Sequence, residues 1–185
     1  MTTAERLASY EDLFGLPDNV VGEIIAGRLL THPRPAPAHA RASSVLGNKV
    51  GTPFDQGEGG PGGWWIFDEP ELHLSQDILV PDLAGWRRER MPALPKTAWF
   101  EMAPDWLCEV LSPATARTDR VLKLPRYAAA GVAHCWLTDP DARTLEAYAN
   151  QAGRWLLLGT WGGDDVATVD PFAAISLSLS SLWVD

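Results

Sequence analysis

The feature that most constrains this chain is an apolar run that contains one carboxylate. The run extends from Asp105 to Leu111, and Glu109 lies inside it among Trp, Leu, Cys and Val residues. So short an apolar run predicts a buried β-strand. A carboxylate in a buried strand is unfavourable unless it is paired, hydrogen-bonded or bound to a metal ion. Glu109 is therefore the strongest single indication of a functional site.

A second carboxylate, Asp82, follows another apolar stretch. The residues from Asp77 to Trp86 predict one strand that contains Pro81. A proline lacks an amide donor, so it fits an edge, a strand end or a bulge, and a bulge can aim a neighbouring acidic side chain into a site. We expect the strands of Asp82 and Glu109 to be neighbours in one sheet.

Asp82 and Glu109 on adjacent strands predict a site for Mg²⁺ or Mn²⁺. Two carboxylate oxygens and the main-chain carbonyl of Val110 are the hard oxygen ligands that Mg²⁺ prefers. Such an ion would polarise a phosphoryl oxygen, help to deprotonate a water and offset charge on the leaving oxygen. The residues thus predict a metal site that suits a phosphodiester.

Lys123 is the candidate cation of this site. It lies in a helical segment from Thr115 to Gly131, which Pro125 interrupts, so we expect a kink or two short helices with Pro125 in the first turn of the second. Lys123 could orient the attacking water or stabilise developing negative charge. Asp119 lies one helical turn earlier, so an ion pair on the helix surface is the alternative.

The remaining patterns predict an α/β or α+β fold, with residues 1–185 forming one domain around a mixed sheet. A capping box at Thr2 to Glu5 predicts a short N-terminal helix that ends near Gly15. His39 falls in the first turn of a helix, where we interpret it as a capping or surface residue. The other predicted elements are a hairpin over 20–30, a helix over 38–54, strands over 63–67, 71–74, 133–138, 144–148 and 155–158, and a closing strand over 175–182.

The net charge of −9, from 15 Lys and Arg against 24 Asp and Glu, counts against a nonspecific DNA-binding protein. Local phosphate contacts remain available, because they need only a few well-placed cations. The sequence shows no apolar stretch of membrane-spanning length and no signal peptide, and its two cysteines fall in buried strands, so we expect a cytoplasmic protein. The candidate phosphate contacts are Arg87, Arg88, Arg117, Arg120 and Arg126.

Several of these segments together resemble one known family. The residues of the resemblance are 80–90, 104–115, Asp119, Lys123, Tyr127, 131–132, Trp136 and Asp139, and Gly22, Glu23, Ala26, Gly27, His39 and 177–182 also fit its pattern. This pattern resembles the bacterial family of putative restriction endonucleases in the PD-(D/E)XK nuclease superfamily. The resemblance covers most of the chain.

The resemblance implies a restriction-endonuclease-like mixed sheet flanked by helices, with extra antiparallel strands at the C-terminus. It implies metal-dependent hydrolysis of DNA, with Asp82 and Glu109 as metal ligands and Glu23 as a further acidic group. The chain departs from the superfamily pattern at Leu111, where a lysine would stand. Lys123 on the following helix fits as its replacement.

Two other functions are alternatives, and the second of them uses the same residues. A non-catalytic module that acts through protein partners is favoured by the acidic charge and by Leu111, and a hydrolase of another phosphoester would differ only in its substrate. The apolar C-terminal strands leave sheet edges that must be covered, and a homodimer would cover them.

Overall fold

The structure of the chain is a computed structural model that describes residues 6–184. The predicted capping box at 2–5 lies outside these residues. The predicted N-terminal helix is shorter than expected: it is a single 3-10 turn, Tyr10–Leu13, whose start is fixed because Asp12 accepts a hydrogen bond from the Ser9 amide at 2.7 Å.

The larger of two main sheets has six strands and is mixed. Its strands are β3 (Trp64–Asp68), β6 (Leu83–Arg87), β7 (Trp106–Val110), β8 (His134–Asp139), β9 (Thr144–Gln151) and β10 (Arg154–Gly162), in the order β10-β9-β8-β7-β6-β3. The pair β7 and β8 is parallel, and the other pairs are antiparallel. The mixed sheet and the antiparallel C-terminal strands confirm the predicted fold class.

The smaller sheet has four strands in the order β2-β1-β5-β4. It consists of β1 (Val20–Ile25), β2 (Arg28–Pro33), β4 (Leu72–Leu74) and β5 (Asp77–Leu79). The predicted hairpin is present, because Ala26 and Gly27 both have positive φ and form the tight turn between β1 and β2.

The single strand predicted over 77–86 is wrong. The chain forms β5 in the smaller sheet, leaves it at Val80 and Pro81, and enters the larger sheet as β6. Pro81 has no amide to donate, which favours an end of pairing at this point. Asp82 therefore stands at the crossing between the two sheets, and β6 and β7 are neighbours as expected, with Leu83 opposite Cys108.

Helices cover both faces of the six-stranded sheet. On one face lies α1 (Pro37–Phe54), which buries Ala42, Leu46 and Val50. On the other lie α2 (Ala116–Thr118), a π-helical turn (Asp119–Lys123) and α3 (Leu124–Ala129). This interruption matches the predicted kink, and Pro125 occupies the first turn of α3.

The alternation of side chains along β7 explains which face carries the acidic residue. Trp106, Cys108 and Val110 belong to the core under α1, whereas Leu107 and Leu111 belong to the core on the opposite side. Glu109 shares the second face, since side chains alternate across a strand.

The closing strand predicted over 175–182 is mostly absent. Only β12 (Leu177–Ser178) pairs there, with β11 (Val166–Ala167), and a 3-10 turn Ser180–Leu182 follows. The apolar residues Leu177, Leu179 and Leu182 are nevertheless buried in the core under α1. The alternating pattern thus predicted burial correctly and secondary structure incorrectly.

Candidate active site

Glu23, Glu109 and Lys123 come together in the interior, although they lie far apart in sequence. β1 supplies Glu23, β7 supplies Glu109 and the π-helical turn supplies Lys123, and each residue is 1 to 2% exposed. The Lys123 Nζ atom lies 2.9 Å from Glu23 Oε1 and 2.8 Å from Glu109 Oε1. It also donates a hydrogen bond to the carbonyl of Val80 at 3.1 Å.

The π-helical turn carries the two buried charged residues of the helical segment. Asp119 and Lys123 lie at its two ends, both buried, with Asp119 Oδ1 3.7 Å from Lys123 Nζ. π-Turns inside helices are rare overall, and those that do occur are frequently located at functional sites. The pair predicted as a possible surface contact is therefore an internal ion pair.

Tyr127 and His32 contact the two glutamates of this cluster. The Tyr127 hydroxyl donates a hydrogen bond to Glu109 Oε1 at 2.7 Å, and His32 Nε2 lies 3.7 Å from Glu23 Oε2. The sequence offered a signal for each, although no role was predicted for them. Tyr127 follows Lys123 by four residues, and the hairpin register places His32 opposite Val21, on the same face as Glu23.

Lys123 and Glu23 stabilise each other's charged forms. Burial lowers the pKa of Lys123, but the negative charges of Glu109, Glu23 and Asp119 outweigh it and hold that pKa well above its usual range. Burial likewise raises the pKa of Glu23, but the Lys123 charge and hydrogen bonds from His32 and Val80 bring it to about 2. This pair is therefore ionised at neutral pH.

The pKa values of Glu109 and Asp119 are shifted upward, in the opposite direction to that of Glu23. Burial and the neighbouring negative charges raise the pKa of Glu109 well above its usual range despite Lys123. Burial also raises the pKa of Asp119. With Glu23, Glu109 and Asp119 all ionised, the cluster would carry more negative charge than Lys123 balances, and burial therefore favours the protonated forms of Glu109 and Asp119.

Asp82 sits beside this cluster at the opening to solvent. Its Oδ2 atom accepts a hydrogen bond from the Val110 amide at 2.7 Å, which fixes the carboxylate against β7. Its Oδ1 atom lies 3.3 Å from His39 Nε2. The interpretation of His39 as a capping or surface residue is wrong: Ala36 occupies the N-cap, and His39 is only 9% exposed.

Two cavities meet at His39 and Asp82. One, of about 260 Å³, is lined by Glu109 and Lys123 and by His32 and Arg34 of the β2 end. The other, of about 470 Å³, runs along the polar face of α1. Because both are lined by His39 and Asp82, the carboxylate stands at the junction of a cleft that a substrate could enter.

The predicted phosphate contacts lie elsewhere. Within residues 6–184, neither cavity is lined by any of them. Arg88 binds Asp55 and the Trp64 carbonyl, Arg120 forms two hydrogen bonds with Glu146, and Arg126 pairs with Asp77. Arg87 stacks on the Trp64 ring with its guanidinium carbon 4.7 Å from the ring centroid, and Arg117 is exposed. Arg34 lines the smaller cavity, and no sequence pattern pointed to it.

The donor chemistry of the site fits a divalent cation. Both contacts of Glu109 with Lys123 and Tyr127 fall on Oε1, so they do not occupy Oε2. Among the residues that the structure describes, no three His, Cys, Asp or Glu side chains form a preassembled metal cluster. Mg²⁺ needs no such cluster, since it binds through one or two carboxylates and keeps several waters. Its charge would also offset the excess negative charge of the cluster.

Beyond the fold and this buried acidic cluster, the sequence matches the model of a known protein family. The model of the family described as Uma2, putative restriction endonuclease, matches residues 7–180. The chain therefore belongs to this family, which confirms the resemblance predicted from its motifs.

A solved structure supports the same fold. A protein from Anabaena variabilis, described as a putative nuclease belonging to DUF820, matches with a TM-score of 0.74 and 24% identity over 93% of this chain and 95% of its own. Comparison with curated proteins gives no match. No helix between residues 6 and 184 is long and apolar enough to span a membrane.

Proposed function

We propose that this protein is a metal-dependent endonuclease that hydrolyses phosphodiester bonds in DNA. Asp82 and Glu109 would hold Mg²⁺ or Mn²⁺ together with the Val110 carbonyl. The observation that carries the proposal is the convergence of Glu23, Glu109 and Lys123 beside Asp82, at the junction of two cavities. Membership of a family of putative restriction endonucleases supports the same chemistry.

When bound, the metal ion would supply Lewis acidity toward the phosphoryl oxygen and lower the pKa of a bound water. Asp82 keeps Oδ1 at the opening while the Val110 amide holds Oδ2. Glu109 is held by Tyr127 and Lys123 through Oε1. The protein thus fixes one oxygen of each carboxylate, Asp82 Oδ2 and Glu109 Oε1, and leaves the other oxygen for the metal ion.

Lys123 acts as a positioning residue in this proposal. An ammonium group has three donors, and those of Lys123 have three close acceptors: Glu23, Glu109 and the Val80 carbonyl. The group therefore has no spare donor for the attacking water. Its contribution is to keep Glu23 ionised, to favour the ionised form of Glu109 and to hold both carboxylates in place, and Glu23 helps to fix its position.

DNA is the proposed substrate, and exposed cations near the cleft would contact its phosphates. Arg34 lines the cavity, and Arg87, Arg88, Arg117 and Arg120 would act only on parts of the duplex away from it. Because the protein carries a net charge of −9, binding should depend on a few local contacts, and its salt dependence should be shallow because the slope scales with the number of phosphates contacted. Buried free thiols at Cys108 and Cys135 agree with a cytoplasmic location.

The test is conversion of supercoiled plasmid to nicked circles with Mg²⁺ or Mn²⁺. We expect the wild type and the exposed-turn control Asp141→Ala to nick, and Asp82→Ala to lose the activity. A small phosphodiester, bis(p-nitrophenyl) phosphate, separates the alternatives: hydrolysis of it without plasmid nicking would favour another phosphoester as substrate. Persistent nicking by Asp82→Ala would refute the assignment.

We also propose a homodimer through β10. This strand is an edge of the six-stranded sheet, and Leu156, Leu157 and Leu158 along it are 41 to 51% exposed. An antiparallel two-fold arrangement of two β10 strands would place Arg154 of one copy beside Asp164 of the second, at both ends of the contact. This charge complementarity favours a second copy of the chain as the occupant.

The oligomeric state tests this contact. In sedimentation experiments we expect a dimer for the wild type and a monomer for Leu157→Lys, because a lysine at an open edge opposes pairing. Val121→Lys, which changes an exposed apolar residue on the helical segment, should stay dimeric. A monomeric wild type would refute the proposal.

A further inference from the structure

His39 is a buried imidazole with an unusual environment. It lies in the first turn of α1, is 9% exposed and lines both cavities beside Asp82. Its Nδ1 atom is buried without a hydrogen-bond partner among the described residues. The contacts of His39 instead concern Nε2.

Nε2 of His39 points at the same groups that are proposed to bind the metal. It lies 3.3 Å from Asp82 Oδ1. The His39 ring also interacts with the Val110 backbone. The imidazole nitrogen, a carboxylate oxygen and a main-chain carbonyl therefore face one small region at the cavity junction.

The spacing of these atoms suits ligands of one metal ion. With metal–ligand distances of about 2.1 Å, neighbouring ligands of an octahedral ion stand about 3 Å apart. The separation of 3.3 Å between Nε2 and Oδ1 is within a few tenths of an ångström of this value. A metal ion between the two atoms would replace this direct contact by shared coordination.

We propose that His39 is a ligand of the divalent cation, through Nε2, beside Asp82 and the Val110 carbonyl. This rests on the proposed metal site and adds a nitrogen ligand to an otherwise all-oxygen set. Imidazole favours transition metals, whereas Mg²⁺ prefers oxygen. Mn²⁺ is a first-row transition metal that otherwise shares the oxygen preference of Mg²⁺, so the nitrogen ligand should shift the relative affinity of the site toward Mn²⁺.

Electron spin-echo spectroscopy of the wild-type protein with Mn²⁺ alone tests this inference directly. We expect a nitrogen-14 coupling on the bound Mn²⁺, and this measurement needs no variant. In His39→Gln the coupling should disappear, and Mn²⁺ affinity measured by calorimetry should fall at least about 10-fold, with a smaller change for Mg²⁺.

His134→Gln is the matched control. His134 lies in β8, away from both cavities, and its Nδ1 is also buried without a partner within the described part of the chain. This variant should keep both the coupling and the affinity. Loss of the coupling in His134→Gln would overturn the assignment to His39.

Failure of the inference is distinguishable from failure of the metal site. Suppose that the wild type binds Mn²⁺, that Asp82→Asn abolishes this binding, and that the wild type shows no nitrogen coupling. The metal site then stands, and His39 is not a ligand. If Mn²⁺ does not bind, or if Asp82→Asn binds it unchanged, the metal site itself fails, and the role of His39 fails with it.

Discussion

Replacing Lys123 by methionine should destabilise the protein strongly, because the change removes a buried positive charge and keeps most of the side-chain volume. Lys123 is 2% exposed and lies within 3 Å of two carboxylates that are equally buried, Glu23 and Glu109. In the variant these carboxylates face each other and Asp119 without their cation.

The magnitude follows from the cost of leaving buried charge unpaired. Removing one partner of a buried ion pair costs about 3–5 kcal/mol. For a chain of this size each kcal/mol lowers the melting temperature by roughly 2–4 °C, so we expect a loss of about 6–20 °C at pH 7. Thermal unfolding followed by circular dichroism measures it.

The dependence of this loss on pH identifies its cause. In the wild type the pKa of Glu23 is lowered to about 2, so its contribution is complete above its ordinary value of 4.5 and is lost as the pH falls toward 2. In Lys123→Met, burial without the cation raises that pKa above 4.5. The folded variant then binds more protons than the unfolded chain, and it gains stability as the pH falls from 7 toward 4.5.

Lys96→Met is the control, since Lys96 is exposed and the substitution is chemically identical. It should leave the melting temperature nearly unchanged at every pH. A second variant, Lys123→Met with Glu109→Gln, should recover part of the stability because one unpaired charge is gone. A deficit of the same size at pH 7 and pH 5 would refute the electrostatic account and indicate a packing defect.

Three further predictions concern the site. Tyr127→Phe removes the hydrogen bond to buried Glu109 and should lower the free energy of unfolding by about 1.5–3 kcal/mol in urea titration, with a negligible loss indicating that the bond contributes little. Mg²⁺ at 100 times its dissociation constant should stabilise the folded protein by about 2.7 kcal/mol, and Asp82→Asn should abolish that shift in a thermal scan; an equal shift in the variant would place the ion elsewhere. Arg34→Ala should weaken binding of labelled duplex DNA and reduce its salt dependence by about one phosphate contact, whereas an unchanged salt slope would remove Arg34 from the interface.

The sequence predicted the sheet and the main helix and singled out Glu109 because each leaves a local signal, whereas Glu23 was named only through the family resemblance. Glu109 is conspicuous in an apolar strand, and the hairpin around Gly27 and the kink at Pro125 follow from backbone chemistry. These signals depend on residues that are neighbours in the sequence, so they can be recognised without knowledge of tertiary contacts.

The rest of the site depends on contacts that no local pattern encodes. His39 and Asp82 meet because α1 crosses the ends of β6 and β7, and Arg34 reaches the cavity because β2 ends beside it. The sequence pattern predicts one strand that contains Pro81, but the chain passes from the smaller sheet to the larger sheet at this residue. Which sheet a short strand joins is decided by long-range packing, and so is the partner of a lone histidine.

The measurement that tests the central claim most directly is the rate of plasmid nicking by Glu109→Gln as Mg²⁺ is varied. Glutamine keeps the shape of the side chain and an acceptor for Tyr127 but removes the charge that is proposed to hold the ion. We predict a folded protein whose nicking rate is at least about 100-fold lower, since the metal contributes several kcal/mol, while Glu58→Gln nicks at the wild-type rate. Metal-dependent nicking by Glu109→Gln at the wild-type rate would contradict the account.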